Sequence, residues 1–224
     1  MTAILDAETV TTAEPCTHSV IWLHGLGADG HDFVPVVPEL GLPSDLAVRF
    51  VFPHSEERAV TINGGMRMRA WYDIKSLDRH GRADEAGIRE SQAQIEQLIR
   101  RENERGVPTA NIVIAGFSQG GAVALQVGLR YAETFAGIMV LSSYLALEDS
   151  LADERSEANA RTPLFMAHGL HDPMVTLDMG TQSREALNAQ GIAVDWHEYP
   201  MAHQVCLEEL RDIGAWLRRV LAPQ

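Results

Sequence analysis

Two cysteines, Cys16 and Cys206, are all that the 224-residue chain holds. A structural zinc site of spaced thiolates is therefore not expected, and neither is a disulfide framework; free thiols in a reducing compartment are the simpler reading. Positive charge is also short: the net charge is −13, which argues against nucleic acid or an anionic membrane as an electrostatic partner. No apolar run approaches membrane-spanning length, so no stable membrane insertion is expected. Met1 to Glu14 has neither a basic head nor an apolar core of signal-peptide length, and the expected location is cytoplasmic. Repeats, low-complexity tracts and linker-like segments are missing as well. Hydrophobic residues make up 46% and charged residues 22%, which suits a soluble globular enzyme of one domain. Residues 1–14 read as a leader or a marginal edge strand, and 15–224 as the domain.

What is present alternates between strand-like and helix-like patterns. Apolar runs at Ser19–Leu23, Val48–Phe52, Ile112–Ala115, Ile138–Leu141, Leu164–Ala167 and Val194–Tyr199 read as buried strands. Helical spacing or length is found at Phe33–Leu40, Asp84–Arg105, Ala122–Leu129, Asp178–Gln190 and Cys206–Leu221. Such alternation predicts an α/β fold, a mostly parallel sheet with helices on both faces. His54 to His80 is polar and irregular, with a turn at Asn63-Gly64-Gly65. It holds Trp71 and Tyr72, which by themselves are as readily loop anchors as covers of a site mouth. Ser142 to Thr162 is a connection too short for a large lid, and its charges read as a solvated face.

One stretch organises the rest. Ile112 to Ala115 is followed by Gly116-Phe117-Ser118-Gln119-Gly120, which fits G-x-S-x-G, and then by an apolar helix. Strand, sharp turn and helix are the context of a nucleophile elbow. Gly116 and Gly120 remove side chains that would collide with the crossing strand and helix. The N–H groups opening the helix face the serine hydroxyl, where negative charge develops. A turn with three glycines, His24-Gly25-Leu26-Gly27-Ala28-Asp29-Gly30, ends the first buried strand. It reads as an oxyanion loop. The backbone N–H groups of Leu26 and Gln119 are the expected oxyanion donors.

A serine hydroxyl is too weak an acid to ionise at neutral pH, so a base and an acid are needed. His203 opens the loop after the last strand and is the expected base. His24 reads as structural. His168 and His171 have a weak metal-like spacing without further ligands, so no metal or other cofactor is expected. Asp172, at a strand-end turn before Pro173, is the expected acid. Asp178 looks like a helix cap, while Asp195 and Glu198 lie within a strand. The chain order Ser, Asp, His is that of α/β-hydrolases. Leu145, just past a strand end, and Met174, just past the acid, are assigned to substrate binding. The expected partner is a small acyl ester.

These residues resemble the bacterial carboxylesterase and acyl-protein thioesterase family of α/β-hydrolases, the phospholipase/carboxylesterase group. The resemblance is carried by His24 to Gly30, Thr61 to Met66, Arg69 to Asp73, Gly116 to Gly121, His168-Gly169 with Asp172, and Pro200 to His203. It implies a serine carboxylesterase acting on small or medium acyl esters. A thioesterase or lysophospholipase of longer chains is the alternative, and a non-catalytic binding protein on the same scaffold a more distant one. It further implies that Trp71 lies at the acyl site and that the chain forms a homodimer. Ala202, where the family usually has glycine, Gln204, and His54 to Arg58 depart from the family pattern.

Overall fold

A computed structural model describes residues 4–76 and 84–222. The chain runs β1 (Ala7–Thr11), β2 (His18–Leu23), β3 (Val48–Pro53), β4 (Glu57–Val60), β5 (Met66–Arg69), α1 (Glu85–Glu104), β6 (Ile112–Phe117), α2 (Gln119–Arg130), β7 (Gly137–Leu141), α3 (Leu151–Glu154), β8 (Leu164–Gly169), α4 (Leu177–Ala189), β9 (Val194–Tyr199) and α5 (Leu207–Val220). Seven strands form one sheet in the order β1-β3-β2-β6-β7-β8-β9. β1 runs antiparallel against β3, and the other neighbours are parallel. The alternating pattern predicts this mostly parallel α/β sheet, and the whole is the single-domain α/β-hydrolase fold that the resemblance implies.

The continuous apolar strands have a simple cause. Successive side chains point to opposite faces of a sheet, so a strand covered on both sides needs apolar residues at every position. On β6, Ile112 and Ile114 enter one core cluster and Val113 and Ala115 the other. Ile95, Leu98 and Ile99 of α1, with the apolar residues of α2 and Leu187 of α4, fill the first face. Val37 and Leu40 of the 3₁₀ helix Val34–Leu40 fill the second, with Leu210, Ile213 and Leu217 of α5.

Two segments differ from their sequence reading. The 54–80 stretch is not wholly irregular. β4 and β5 form a hairpin over Glu57 to Arg69, turning at Gly64 and Gly65, both with positive φ. Its strands are only four residues long, carry Glu57, Arg58, Arg67 and Arg69, and are mostly exposed or half-buried, so they hold no apolar run of the kind that marks a buried strand. The part of the 54–80 reading that falls on residues 77–80 lies outside the described residues. In the 142–162 connection, Glu154 is more than a solvated charge. It accepts hydrogen bonds from Arg89 Nη2 at 2.6 Å and Arg130 Nε at 2.7 Å. Those two guanidiniums hold its carboxyl down to about 2.

The order of strands positions the site. From β2 the chain moves outward to β3 on one side, and from β6 it proceeds to β9 on the other. The crevice between β2 and β6, at their carboxyl ends, is where the direction reverses, and open α/β sheets bind ligands there.

Candidate active site

Ser118 follows β6 directly and precedes α2. Its backbone is at φ 54°, ψ −119°, a positive-φ conformation costly for any residue with a side chain. Neighbours hold it there. The Ser118 N–H donates to the Leu141 carbonyl at 2.8 Å, and the Ser118 carbonyl accepts from Gly121 N–H at 3.0 Å. The Ser143 hydroxyl donates to the same carbonyl at 2.5 Å. The flanking glycines are required by contact. A Cβ on Gly116 would lie 2.2 Å from the Gly120 carbonyl oxygen, and one on Gly120 would lie 2.5 Å from the carbonyl oxygens of Leu23 and His24.

Two further loops reach the serine. His203, after β9, brings Nε2 to 2.9 Å from Ser118 Oγ. Its Nδ1 lies 2.6 Å from Asp172 Oδ2, after β8. The Asp172 carboxylate is buried, and its other oxygen, Oδ1, accepts the N–H groups of Met174 at 2.8 Å and Val175 at 3.0 Å. Burial pushes this carboxyl up, but the His203 imidazole and the two N–H donors outweigh it and leave it below the usual carboxylate range. His168, whose Nε2 is 3.7 Å from Asp172 Oδ2, is not a competing partner. Its Nε2 donates to the Val175 carbonyl at 2.8 Å.

Ser118 and His203 open onto a cleft of about 230 Å³, lined also by Leu26, Gln119, Phe117 and Tyr144. Met174, 65% exposed, stands at its mouth with Ile62. Among the described residues the Leu26 N–H has no hydrogen-bond acceptor. Gln119 is the first residue of α2, where the helix provides its N–H with none either.

The loop holding Leu26 is fixed from behind. The buried His24 ring donates from Nδ1 to the Gly25 carbonyl at 2.7 Å and accepts the Ser55 N–H at Nε2, 3.1 Å away. Burial lowers its pKa to about 4, which keeps it neutral, as the accepting nitrogen requires. His24 is therefore a loop anchor, as its sequence position suggests.

Two of the substrate-binding assignments do not line the cleft. Trp71 is fully buried. Its indole N–H donates to the His24 carbonyl at 2.9 Å, so the ring supports the loop from beneath. Leu145 points into the core, and the adjacent Tyr144 takes the place at the cleft. The sequence reading also overlooks the side chain of Gln119. Its Oε1 accepts the Trp71 N–H at 2.8 Å, and its Nε2 donates to the Tyr72 carbonyl at 2.7 Å. A glutamine directly after Ser118, at the start of a mostly apolar helix, is the one hint of this in the sequence.

A family described as phospholipase/carboxylesterase matches residues 5–221. The Neurospora crassa acyl-protein thioesterase 1 is 43% identical over 210 residues, 90% of this chain and 86% of that protein. Among solved structures, Arabidopsis thaliana SOBER1 superposes with a TM-score of 0.86 at 29% identity, covering 91% of this chain and 99% of that one. The Zea mays acyl-protein thioesterase 2 gives 0.85 at 26% identity, covering 97% and 99%. A match across nearly the whole length, with the fold and the strand-end crevice already described, makes the chain a hydrolase that belongs to the phospholipase/carboxylesterase family.

Proposed function

We propose that the chain hydrolyses carboxylic esters of small to medium acyl groups through a covalent acyl-serine. The observation that carries this is the hydrogen-bonded line from Ser118 Oγ to His203 Nε2 and from His203 Nδ1 to Asp172 Oδ2. Ser118 Oγ attacks the acyl carbonyl carbon as His203 Nε2 takes its proton. The carbonyl oxygen becomes an oxyanion, stabilised by the N–H groups of Leu26 and Gln119. One such donor typically contributes about 2.7–4 kcal/mol. Collapse of the tetrahedral species breaks the ester C–O bond, and His203 returns its proton to the departing alcohol. Water then attacks the acyl-serine with His203 again as base, which frees the acid and restores Ser118. Asp172 stays ionised throughout, holds the imidazole with its proton on Nδ1, and stabilises the imidazolium. The chemistry needs no cofactor.

The cleft, at about 230 Å³, is below the roughly 300–1,000 Å³ of pockets for drug-sized ligands, which favours a short or medium acyl group. A second reading, hydrolysis of acyl thioesters, is favoured by the 43% identity to a protein named an acyl-protein thioesterase. The apolar Met174 and Ile62 at the open mouth would let a longer chain continue along the surface. Rates across matched ester and thioester series of rising chain length separate the two: a maximum at short esters supports the first, a rising profile on long thioesters the second. Ser118→Ala is expected to lower kcat by roughly 10⁶ and to abolish labelling by a fluorophosphonate. Retained turnover in that variant would overturn both readings.

A further inference from the structure

Away from the cleft, three side chains from distant parts of the sequence converge beside the outer edge of the sheet. Glu8 is on β1, His31 follows β2, and His54 follows β3. Glu8 Oε1 lies 3.2 Å from His31 Nε2 and 3.4 Å from His54 Nε2. One donor atom from each falls within 4.8 Å of the others. A zinc ion held tetrahedrally at about 2.0–2.1 Å sets adjacent ligand atoms about 3.3–3.4 Å apart. The two measured separations are close to that edge length.

His31 supplies a second argument. Besides Glu8 at Nε2, it has Asp29 Oδ1 at 3.1 Å from Nδ1. Asp29 is oriented by accepting the His31 backbone N–H at 2.8 Å. A cation at Nε2 suits this arrangement: the lone pair goes to the ion and Nδ1–H to Asp29, the outer-shell arrangement that fixes a ligating histidine. The His31 side chain is 67% exposed and that of Glu8 42%, so an ion has a way in. None of these groups serves the hydrolytic chemistry proposed above.

We propose that Glu8, His31 and His54, with Asp29 behind His31, bind a divalent transition-metal ion of the zinc class. Two imidazoles and one carboxylate favour zinc, cobalt, nickel or copper over calcium or magnesium. Three protein ligands leave a position for water. The ion ties the edge strand β1 to the loops after β2 and β3. His54 bears a cost. Its Nδ1 now accepts the Gly30 N–H at 3.1 Å, which puts its own proton on Nε2. Coordination through Nε2 moves that proton to Nδ1, and the Gly30 N–H loses its acceptor.

The test uses the full chain stripped with a chelator and titrated with zinc chloride by calorimetry. Cobalt is titrated in parallel, read by its visible absorption, and the Gly30 amide is followed by NMR. One ion per chain is expected, with a displaced Gly30 amide resonance. His31→Ala is expected to weaken binding by at least about tenfold, and Asp29→Asn by about 10–100-fold. No binding by the unmodified chain at millimolar zinc, or undiminished binding in His31→Ala, overturns the site. Binding that leaves the Gly30 amide in place overturns His54 as the third ligand. His31→Ala changes an exposed side chain, and a thermal melt checks that the variant is folded.

Discussion

Replacing Asp172 by asparagine tests the proposed mechanism at its least conspicuous point. The two side chains have the same shape, but only one oxygen of the amide can accept a hydrogen bond. The surroundings decide which way the amide sits. Two backbone donors, Met174 N–H and Val175 N–H, point at the Oδ1 position. An NH₂ group there would face two N–H groups, so the amide oxygen takes that place and the NH₂ takes the Oδ2 position. It then donates to His203 Nδ1, which must present a lone pair. The imidazole proton is driven to Nε2, aimed at Ser118 Oγ 2.9 Å away. A base that already carries its proton at the accepting nitrogen cannot take another from the serine. The wrong tautomer costs a serine hydrolase about 10⁴ in kcat, or about 5.4 kcal/mol of barrier. Steady-state hydrolysis of a short p-nitrophenyl ester gives kcat, and circular dichroism confirms that the variant is folded. A folded variant that loses less than about tenfold would refute the reasoning, since it would mean that the tautomer of His203 is not set by Asp172.

Three other outcomes follow from the same geometry. Gly120→Ala is expected to destabilise the fold by about 1–3 kcal/mol or more, because its Cβ meets two backbone carbonyls that cannot move aside; an unshifted urea midpoint would contradict the close approach. Gln119→Leu leaves the buried Trp71 N–H and Tyr72 carbonyl without partners, at about 1–3 kcal/mol each, and is read in the same urea experiment. His24, lowered to about 4 by burial, is neutral in the folded chain but takes up a proton in the unfolded chain below its ordinary value of 6.5. Its contribution is complete above that value and is lost as pH falls from 6.5 toward 4, by up to about 3 kcal/mol, so His24→Gln is expected to flatten the acid slope of stability over that interval.

How far the sequence could be read depended on whether a residue's role follows from its neighbours in the chain. The central strands of the sheet were legible because strands buried on both faces must be apolar throughout, as at Ile112 to Ala115, whereas the edge strand β1 is only partly buried and has no such run. The elbow was legible because its chemistry constrains residues only two positions apart. Asp172 and His203 were nominated because strand ends are where an open parallel sheet exposes polar groups. The side chains around the cleft were harder. Trp71 is a large aromatic in a polar loop, and nothing local says whether it faces a ligand or, as here, braces His24 from beneath. Tyr144 and Leu145 are adjacent, so choosing the cleft residue between them is a question of which side the chain turns after β7. The hairpin β4–β5 lacks a buried apolar run because its short strands pair with each other, apart from the main sheet, and stand mostly exposed or half-buried. The Glu8, His31 and His54 cluster has no sequence signature, since its members are spread over three segments that only the sheet order brings together.

The same contrast explains why the proposed oxyanion side of the site needs so much support. Ser118 is fixed by the elbow itself, with a backbone that the glycines on either side permit and that Leu141 and Ser143 hold. The Leu26 N–H belongs to a glycine-rich loop, which would cost conformational entropy to order at the moment of reaction. That cost is met in advance. His24 clamps the loop to Ser55, Trp71 clamps it from below, and the Gln119 side chain ties Trp71 and Tyr72 to the same residue whose backbone N–H is the second proposed donor. The two proposed donors are thus joined through one network of buried hydrogen bonds. A change at Trp71 should therefore act on kcat more than on KM, although the ring touches no substrate. Trp71→Phe keeps an aromatic ring, removes the indole N–H that holds the His24 carbonyl, and loses the second ring's volume, the structural cost of which a urea midpoint reports. A fall in kcat with KM nearly unchanged is the expected result, and a selective rise in KM would instead return Trp71 to the acyl pocket.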